Sequence, residues 1–576
     1  LILSYIRRHP YLTLFLAALL YRIFTALFYR QPGYTDAYYY VNVANQLWQG
    51  NGFRDDYIWN YMGGIPNSVS GNPSNTYWMP LTSIIIAGGY LLTLGQSFFA
   101  AQLSMILISS TFAPLAYYMG RDIFGTERGE RYGWLMGLFM IFCGFYAPMF
   151  ALPDNFAPFA FFSLCFLILT YKVGRFTNRP YASTPKPQPP TPVPHPLNFI
   201  LHPSSFILSL LAGLCAGLAY LSRVDGSILL VVPIVCLILQ RYIFRQPTNL
   251  TWKGIGLIWL VAALVASPWV LRNLAVTGLP FPGGGIKVLF WRDYDDFYTF
   301  VRPLDLSYYL NQTYPSLTWG IGSLIGSKID ALSQNYLVVG RAALVFLTPL
   351  VFLGFFSRFV PGKPLPQLSF RHPDTFWRRP EFLPFSVYTV ILYLAMSLLF
   401  TFPSTRGSLF HSAGGLLPFV YAALIAGLDT AVGLLGKITR PGANRSRQRV
   451  YSGMLVLVMV FASVGWTFSN SSTWDDEYNE IKQVDQWIVQ NGKPGAVVMS
   501  PDPMLYYHAT GKSTVVITSD PLEVNLQVAQ RYKASYLIFQ PQHYTASLTP
   551  LFEKKSYPGF KLVKTIGGAE IYELSY

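Results

Sequence analysis

The sequence predicts a polytopic α-helical membrane protein with a small extracytoplasmic α/β domain at its C-terminal end. Three observations lead there. Apolar residues fill 52% of the 576 positions and charged residues only 12%, about half the roughly one-quarter share of soluble chains. About eleven apolar runs approach the roughly 20 residues that a bilayer crossing requires. From about residue 475 onward the pattern changes to short β-rich runs alternating with amphipathic stretches.

The composition also excludes several classes. A mean hydropathy of +0.34 is foreign to an ordinary cytosolic enzyme. Apolar dominance without a short period rules out disordered and fibrous chains. Cys143, Cys165, Cys215 and Cys236 all lie inside apolar runs, so neither a disulfide scaffold nor a cysteine-based zinc site is expected. A net charge of +15 would suit nucleic acid. The basic residues, however, cluster in short loops between apolar runs, as membrane topology requires.

Taken in order, the expected spans are 11–29, 97–119, 133–152, 156–172, 206–222, 227–244, 254–271, 336–356, 385–402, 409–428 and 450–468. The first run ends at Tyr29-Arg30 without a small-residue cleavage site, so it reads as a span rather than a cleaved leader. The stretch 80–95 is shorter and interrupted by Pro80, Gly88 and Gly89; it is expected to lie in the interface. Lysine and arginine orient the chain with its N-terminus inside. Segments 1–10, 120–132, 172–205, 241–253, 357–384 and 429–449 then face inward, with 22 basic against 6 acidic residues. Regions 30–96 and 272–335 become long outer loops within a membrane domain spanning 1–469. The inner segment 172–205 holds a Pro-rich run at 185–196, a polyproline-type spacer with no means of forming a core.

The tail, 470–576, reads as an extracytoplasmic α/β domain. Strands are expected at 496–499, 514–517 and 536–539, helices at 504–510 and 522–532, and a hairpin of 560–566 with 570–574 around Gly567-Gly568. No Gly-rich phosphate loop follows the first strand, so a dinucleotide role has no support.

Charge at a membrane boundary is costly and marks function by default. Asp36, Asp154, Arg223, Asp225, Arg272, Arg406 and His411 all fall at the outward ends of the predicted spans. Two acids beside several arginines suit an anionic, phosphate-bearing substrate and an acceptor that needs a base. Each residue also has a plainer reading. Asp36 would be a solvated loop residue, and Asp154 the N-cap of the span after it. Arg223 and Asp225 would pair to close a helix hairpin, Arg272 and Arg406 would snorkel to headgroups, and His411 would be a packing histidine. Tyr38, Tyr39, Tyr40, Trp59 and Trp78 would stack a sugar face or form an ordinary aromatic belt. Asp293-Tyr294-Asp295-Asp296 has metal-like spacing but reads as a solvated loop.

A resemblance then becomes specific. Tyr34-Thr35-Asp36, followed by Tyr39, Ala44, Leu47 and Gly50-Asn51-Gly52-Phe53, resembles the first outer loop of GT-C glycosyltransferases. These include protein O-mannosyltransferases and lipid A aminoarabinose transferases. Tyr77-Trp78-Met79-Pro80-Leu81 is similar to the aromatic-Pro-Pro-Leu start of their juxtamembrane helix, with Met79 in place of one proline. Gly120-Arg121-Asp122-Ile123-Phe124-Gly125 resembles their inner Ala-Arg-Arg-Leu-Phe-Gly turn. Gly217 to Gly226 resembles Gly-Leu-Ala-x-Leu-Thr-Arg-Pro-Glu-Gly. Ser267 to Asn273, with Gly278 and Pro280-Phe281-Pro282, resembles Pro-Trp-x-x-Arg-Asn-x-x-x-x-Gly-x-Pro-Phe. The match covers about the first 470 residues.

The resemblance implies a multi-pass enzyme of a bacterial plasma membrane. It would move a sugar from a polyprenyl-phosphate carrier to an extracytoplasmic lipid, glycan or protein acceptor, with inversion. Asp36 would be the base and Asp154 the second acid; Arg272, Arg406, His411, Arg223, Tyr39 and Trp78 would bind substrate. The sequence departs from the family where Ala37 follows Asp36, which removes a paired acid. No Asp-x-Asp lies in the first loop, and Asp36 with Asp154 supplies only two side chains where hard cations want several oxygens. No cofactor is therefore expected, with a divalent metal left open. Two rivals stand beside this reading. A flippase of polyprenyl-linked sugars would place charge at the midplane and show repeats; a non-catalytic subunit would retain only the fold.

Overall fold

The computed structural model describes residues 6–175, 203–281, 283–311, 321–359, 365–370, 372, 374–400, 404, 407–438, 444–541 and 545–576. The Pro-rich run and Arg406 lie outside the described residues.

Helix α1 (Pro10–Ala26) starts with proline in its first turn, where the missing N–H costs nothing. Its Arg22 is fully buried, an expensive position for a guanidinium within a span. The helix Phe112–Ile141 meets the need: Arg22 donates to Met140 O at 2.9 Å and Ile141 O at 3.0 Å, satisfying carbonyls that a helix end leaves open. The inner turn expected at 120–132 is present. Gly125 takes φ 72° and reverses the chain, a conformation open to glycine at little cost. The two arms return so closely that a Cβ on Gly120 would sit 2.5 Å from Gly133 Cα.

The region 30–96 carries α2 (Thr35–Trp48) and α3 (Leu81–Thr93). Helix α3 leaves Ile84, Leu91, Leu92 and Leu94 exposed, as an interfacial helix would. Helix α4 (Phe156–Gly174) is buried along most of its length and packs on Pro203–Ser222. Helix α5 (Leu417–Ile438) meets Thr348–Phe355 backbone to backbone; Gly354 and Gly427 face each other so tightly that a Cβ on either would overlap a carbonyl oxygen. Small residues at such crossings are how apolar helices associate in lipid. Seven helices among the described residues are long and apolar enough to cross a membrane, or eight if the pair Gly322–Ala343 and Thr348–Phe355, bent by 87°, counts as one span. The predicted spans 11–29 and 385–402 coincide with apolar helices of 17 and 16 residues.

Helix α6 (Asn444–Asn491) is 48 residues long. It runs through the boundary expected at 469–470 and continues to the sheet region. There the predicted strands stand within two residues, joined by a short β4 that the sequence did not predict: β1 (Val497–Ser500), β2 (Thr514–Val516), β3 (Ala534–Phe539), β4 (Ser556–Tyr557), β5 (Phe560–Ile566) and β6 (Ala569–Leu574). They form one sheet in the order β2-β1-β3-β6-β5-β4. Strand β1 is parallel to both neighbours, while β6 pairs antiparallel with β3 through Ile571 and Ile538.

The sheet region is interlocked with the regions 30–96 and 272–335. Ile58 adds a one-residue parallel bridge beside Val515, with Ile58 N donating to Thr514 O at 2.9 Å and Val516 N to Ile58 O at 2.8 Å. Asp520 accepts from Thr299 Oγ1 at 2.9 Å and from Phe300 N at 2.6 Å. The solvated reading of the run 293–296 holds for Asp293 and Tyr294, which are exposed, and is corrected for Asp296. Asp296 is fully buried and accepts from Arg302 at 2.6 Å, the Tyr308 hydroxyl at 2.7 Å and Arg292 N at 2.7 Å. It is the hub that folds this loop, because a buried carboxylate persists where several donors converge on it.

Candidate active site

Helix α2 begins directly after Tyr34 and places Asp36 in its first turn, where the helix dipole favours a carboxylate. Asp154 comes from the turn before α4, and His411 from the short helix Ser408–Ser412. Their donor atoms lie within 4.8 Å of one another. His411 Nε2 is 3.1 Å from Asp154 Oδ2 and 3.9 Å from Asp36 Oδ2. The three are separated by more than a hundred residues along the chain, and the fold gathers them at one point.

Their environments differ. Asp154 has no exposed surface, whereas the Asp36 side chain keeps 24% of its own. The Tyr34 hydroxyl donates to Asp154 Oδ2 at 2.5 Å, and Asn155 N donates to Oδ1 at 2.6 Å. Burial works against the charged form of Asp154, but His411, Tyr34 and Asn155 outweigh it and hold its pKa below the usual carboxylate range. Asp36 goes the other way. Burial raises it and the nearby Asp154 charge adds to this, while His411 and Arg223 oppose; the result is about 6. Two carboxyls pushed apart in this manner are the pattern of unequal acid–base roles.

The His411 ring faces acceptors on both sides, Gly407 O at 3.1 Å from Nδ1 and Asp154 Oδ2 from Nε2. Both ring nitrogens are thus engaged by the protein. Phe156 stacks on the ring at 3.9 Å. The packing-histidine reading of His411 thus understates its contacts. The capping reading of Asp154 is also corrected. Helix α4 starts behind Asn155, without a side-chain cap, and one Asp154 oxygen is committed to Tyr34 and His411.

Arg223 pairs with Asp225, Nε to Oδ1 at 3.0 Å, closing the hairpin as the plainer reading expected. Ser412 donates to the other Asp225 oxygen, so the pair is braced against the segment that carries His411. The Arg223 charge still reaches Asp36, Asp154 and Tyr40. Arg272 stands apart from this cluster. Its guanidinium lies over Trp269 at 4.6 Å and Phe53 at 5.9 Å, on the side of Tyr39 that faces Asp55. Tyr39 is fully buried; its hydroxyl accepts from Asn75 N at 2.5 Å and donates to Asp55 Oδ2 at 3.3 Å. Burial pushes Asp55 well above the usual range, Tyr39 and Arg272 opposing it. Trp78 stacks on Trp59 at 4.1 Å. Tyr39 and Trp78 are therefore engaged with protein groups here.

Sequence reasoning did not single out Asn155, which donates to the Tyr40 hydroxyl at 2.9 Å, nor Asp55. It quoted Tyr34 only as part of a motif. The spacing of Tyr34 two positions before Asp36 is the one local signal for its role. Two carboxylates and an imidazole are also a donor set for a divalent ion, closer to zinc or manganese chemistry than to magnesium.

Solved structures with this arrangement of helices and sheet exist. ArnT from Cupriavidus metallidurans bound to undecaprenyl phosphate aligns with a TM-score of 0.56 over 98% of both chains, at 13% identity. The GT-C fold is the architecture of this chain. The apo oligosaccharyltransferase of Archaeoglobus fulgidus aligns at 0.54, over 99% of this chain and 75% of the other, at 13% identity. The archaeal oligosaccharyltransferase AglB from the same organism, in complex with an inhibitory peptide and a dolichol-phosphate, aligns at 0.50 and 12% identity over the same shares. No family profile matches the sequence, and no curated protein matches it. The chain is a multi-pass membrane protein with the GT-C fold, in which the loops of 30–96 and the C-terminal sheet meet around Asp36.

Proposed function

We propose that this GT-C chain is a glycosyltransferase that moves a sugar from a polyprenyl-phosphate carrier to an extracytoplasmic acceptor. The observation that carries the reading is Asp36: a partly exposed carboxyl tuned to about 6 beside the buried Asp154 and His411. A base of that strength removes an acceptor proton near neutral pH. The acceptor oxygen bonds to the anomeric carbon, and the anomeric C–O bond to phosphate breaks, its electron pair leaving on the phosphate. Asp36 takes the proton. Guanidinium charge stabilises the departing phosphate: Arg223 acts near Asp36, and Arg272 and Arg406 are assigned to hold the carrier's phosphate. Structures of two similar folds contain undecaprenyl phosphate or dolichol-phosphate, which supports a lipid-phosphate donor.

No cofactor is proposed, and a divalent ion held by Asp36, Asp154 and His411 is the alternative. The test is transfer by purified protein from undecaprenyl-phosphate sugars, with and without a chelator. Chelator-insensitive transfer is expected. Transfer abolished by chelation and restored by one divalent ion would make the three donors a metal centre. Lipid-linked sugar crossing vesicles without transfer would favour the flippase.

Arg272 carries a second expectation. Its replacement by alanine should weaken undecaprenyl phosphate binding roughly ten- to hundred-fold, the scale of losing a hydrogen bond to a charged group. Lysine keeps the charge without the planar fork and should lose less. Unchanged binding by Arg272→Ala would leave it a headgroup anchor.

We also place the chain in a bacterial plasma membrane with the N-terminus cytoplasmic and 470–576 outside. Cysteines introduced at Asn51 and Lys512 should both react with an impermeant thiol reagent added to intact cells. Labelling of either only after permeabilisation would reverse the orientation.

A further inference from the structure

The base assigned above makes no hydrogen bond of its own among the described residues. Its direction is therefore set by the backbone of the first turn of α2, and that turn lacks a local lock, because the N-cap residue Tyr34 gives it no side-chain bond. An uncapped first turn leaves N–H groups open and frays. The tie comes from 467 residues away. The Thr35 hydroxyl donates to Asp502 Oδ2 at 2.7 Å. The other oxygen of Asp502 accepts from Leu505 N at 3.0 Å, capping the helix Pro503–Thr510. Two turns along α2, Asn42 Nδ2 donates to Met504 O at 3.0 Å, and His508 Nδ1 lies 3.0 Å from Asn42 Oδ1. Asp502 itself is buried and follows β1 at the carboxyl edge of the parallel strands. In the order β2-β1-β3 that edge is where open α/β sheets ordinarily meet ligands. Here it meets the turn that carries Asp36.

We propose that Asp502 is a positioning residue for Asp36: the sheet region locks the first turn of α2 through the Thr35–Asp502 bond and aims the Asp36 carboxylate at the acceptor. This rests on the reading of Asp36 as the base. It gives the C-terminal region a part in the reaction itself, since among the described residues the Thr35 side chain is bonded to Asp502, while Asp154 holds the preceding Tyr34. Misplacing a reacting group by about 1 Å costs on the order of a hundredfold, so the bond is worth a measurable share of turnover.

The experiment uses the full chain with four changes: Thr35→Val, Asp502→Ser, the two together, and Thr35→Ser. Valine matches the shape of threonine without the hydroxyl. Serine at 502 still caps a helix but is too short to reach Thr35. Product is measured by mass spectrometry of lipid and glycan extracts from producing cells, at equal membrane level. Undecaprenyl phosphate binding and thermal stability are measured on purified protein. Each single change should lower product formation roughly ten- to hundred-fold with binding within about twofold of wild type. The double change should be no worse than the worse single, because both remove one bond. Thr35→Ser should restore product formation. Losses that multiply in the double variant would overturn the proposal, as would normal product formation by Thr35→Val. If Asp502→Ser does not fold, Thr35→Val and Thr35→Ser decide alone. Asp36→Asn run alongside separates the two failures. If it abolishes product while Thr35→Val does not, only the positioning role falls; if it makes product normally, the base assignment falls with it.

Discussion

Asp36→Asn should lower transfer by about a hundredfold or more, the usual scale for losing a positioned base, while leaving undecaprenyl phosphate binding intact. Asparagine keeps size and polarity but takes no proton from the acceptor. No phosphate contact is removed, and the loss of a negative charge near an anionic donor favours binding slightly. The wild-type pH profile carries the same information. A base acts in its deprotonated form, and burial beside Asp154 lifts Asp36 to about 6. Transfer should therefore be level above that pH and fall about tenfold per unit below it. Single-turnover transfer with a donor-binding assay checks both. Near-normal transfer by Asp36→Asn would move the non-catalytic subunit to first place.

Asp154→Asn should destabilise the protein most among the site variants. Asp154 is the buried acceptor for Tyr34, His411 and Asn155 N. Replacing it removes the charged acceptor on which Tyr34 and His411 converge, and leaving buried hydrogen-bonding groups poorly satisfied costs about 1–3 kcal/mol. The sign with pH follows from its lowered pKa. The stabilisation is fully present above the ordinary aspartate value near 4 and is lost as pH falls through the lower folded value. The variant should lose that acid-side dependence along with its thermal stability, and transfer should fall because His411 no longer has a fixed place beside Asp36. Thermal denaturation in detergent at several pH values tests this. A variant as stable and as active as wild type would return Asp154 to a minor role.

Much of this was legible in the sequence, for a local reason. Hydropathy, charge bias and β-strand alternation are properties of short windows, so the apolar spans, the inner turn at Gly125 and the run of strands from Val497 to Leu574 could be read in order. The chemistry-bearing residues could be shortlisted because charge is rare at span ends. Their grouping could not. Asp36, Asp154 and His411 meet through the packing of α2, the turn before α4 and Ser408–Ser412, while Arg272, ranked beside them on sequence, packs against Phe53 and Trp269 near Asp55. Nor does any window contain both Thr35 and Asp502. The sequence by itself determined a membrane-embedded helical chain, the acids at the ends of its apolar runs and its terminal sheet, because bilayer and strand periodicities act on neighbouring residues. Only the tertiary structure decided which acid is buried and paired, which stays partly exposed and tuned toward neutrality, and what holds its turn, because burial and charge–charge distance arise from elements far apart in the chain.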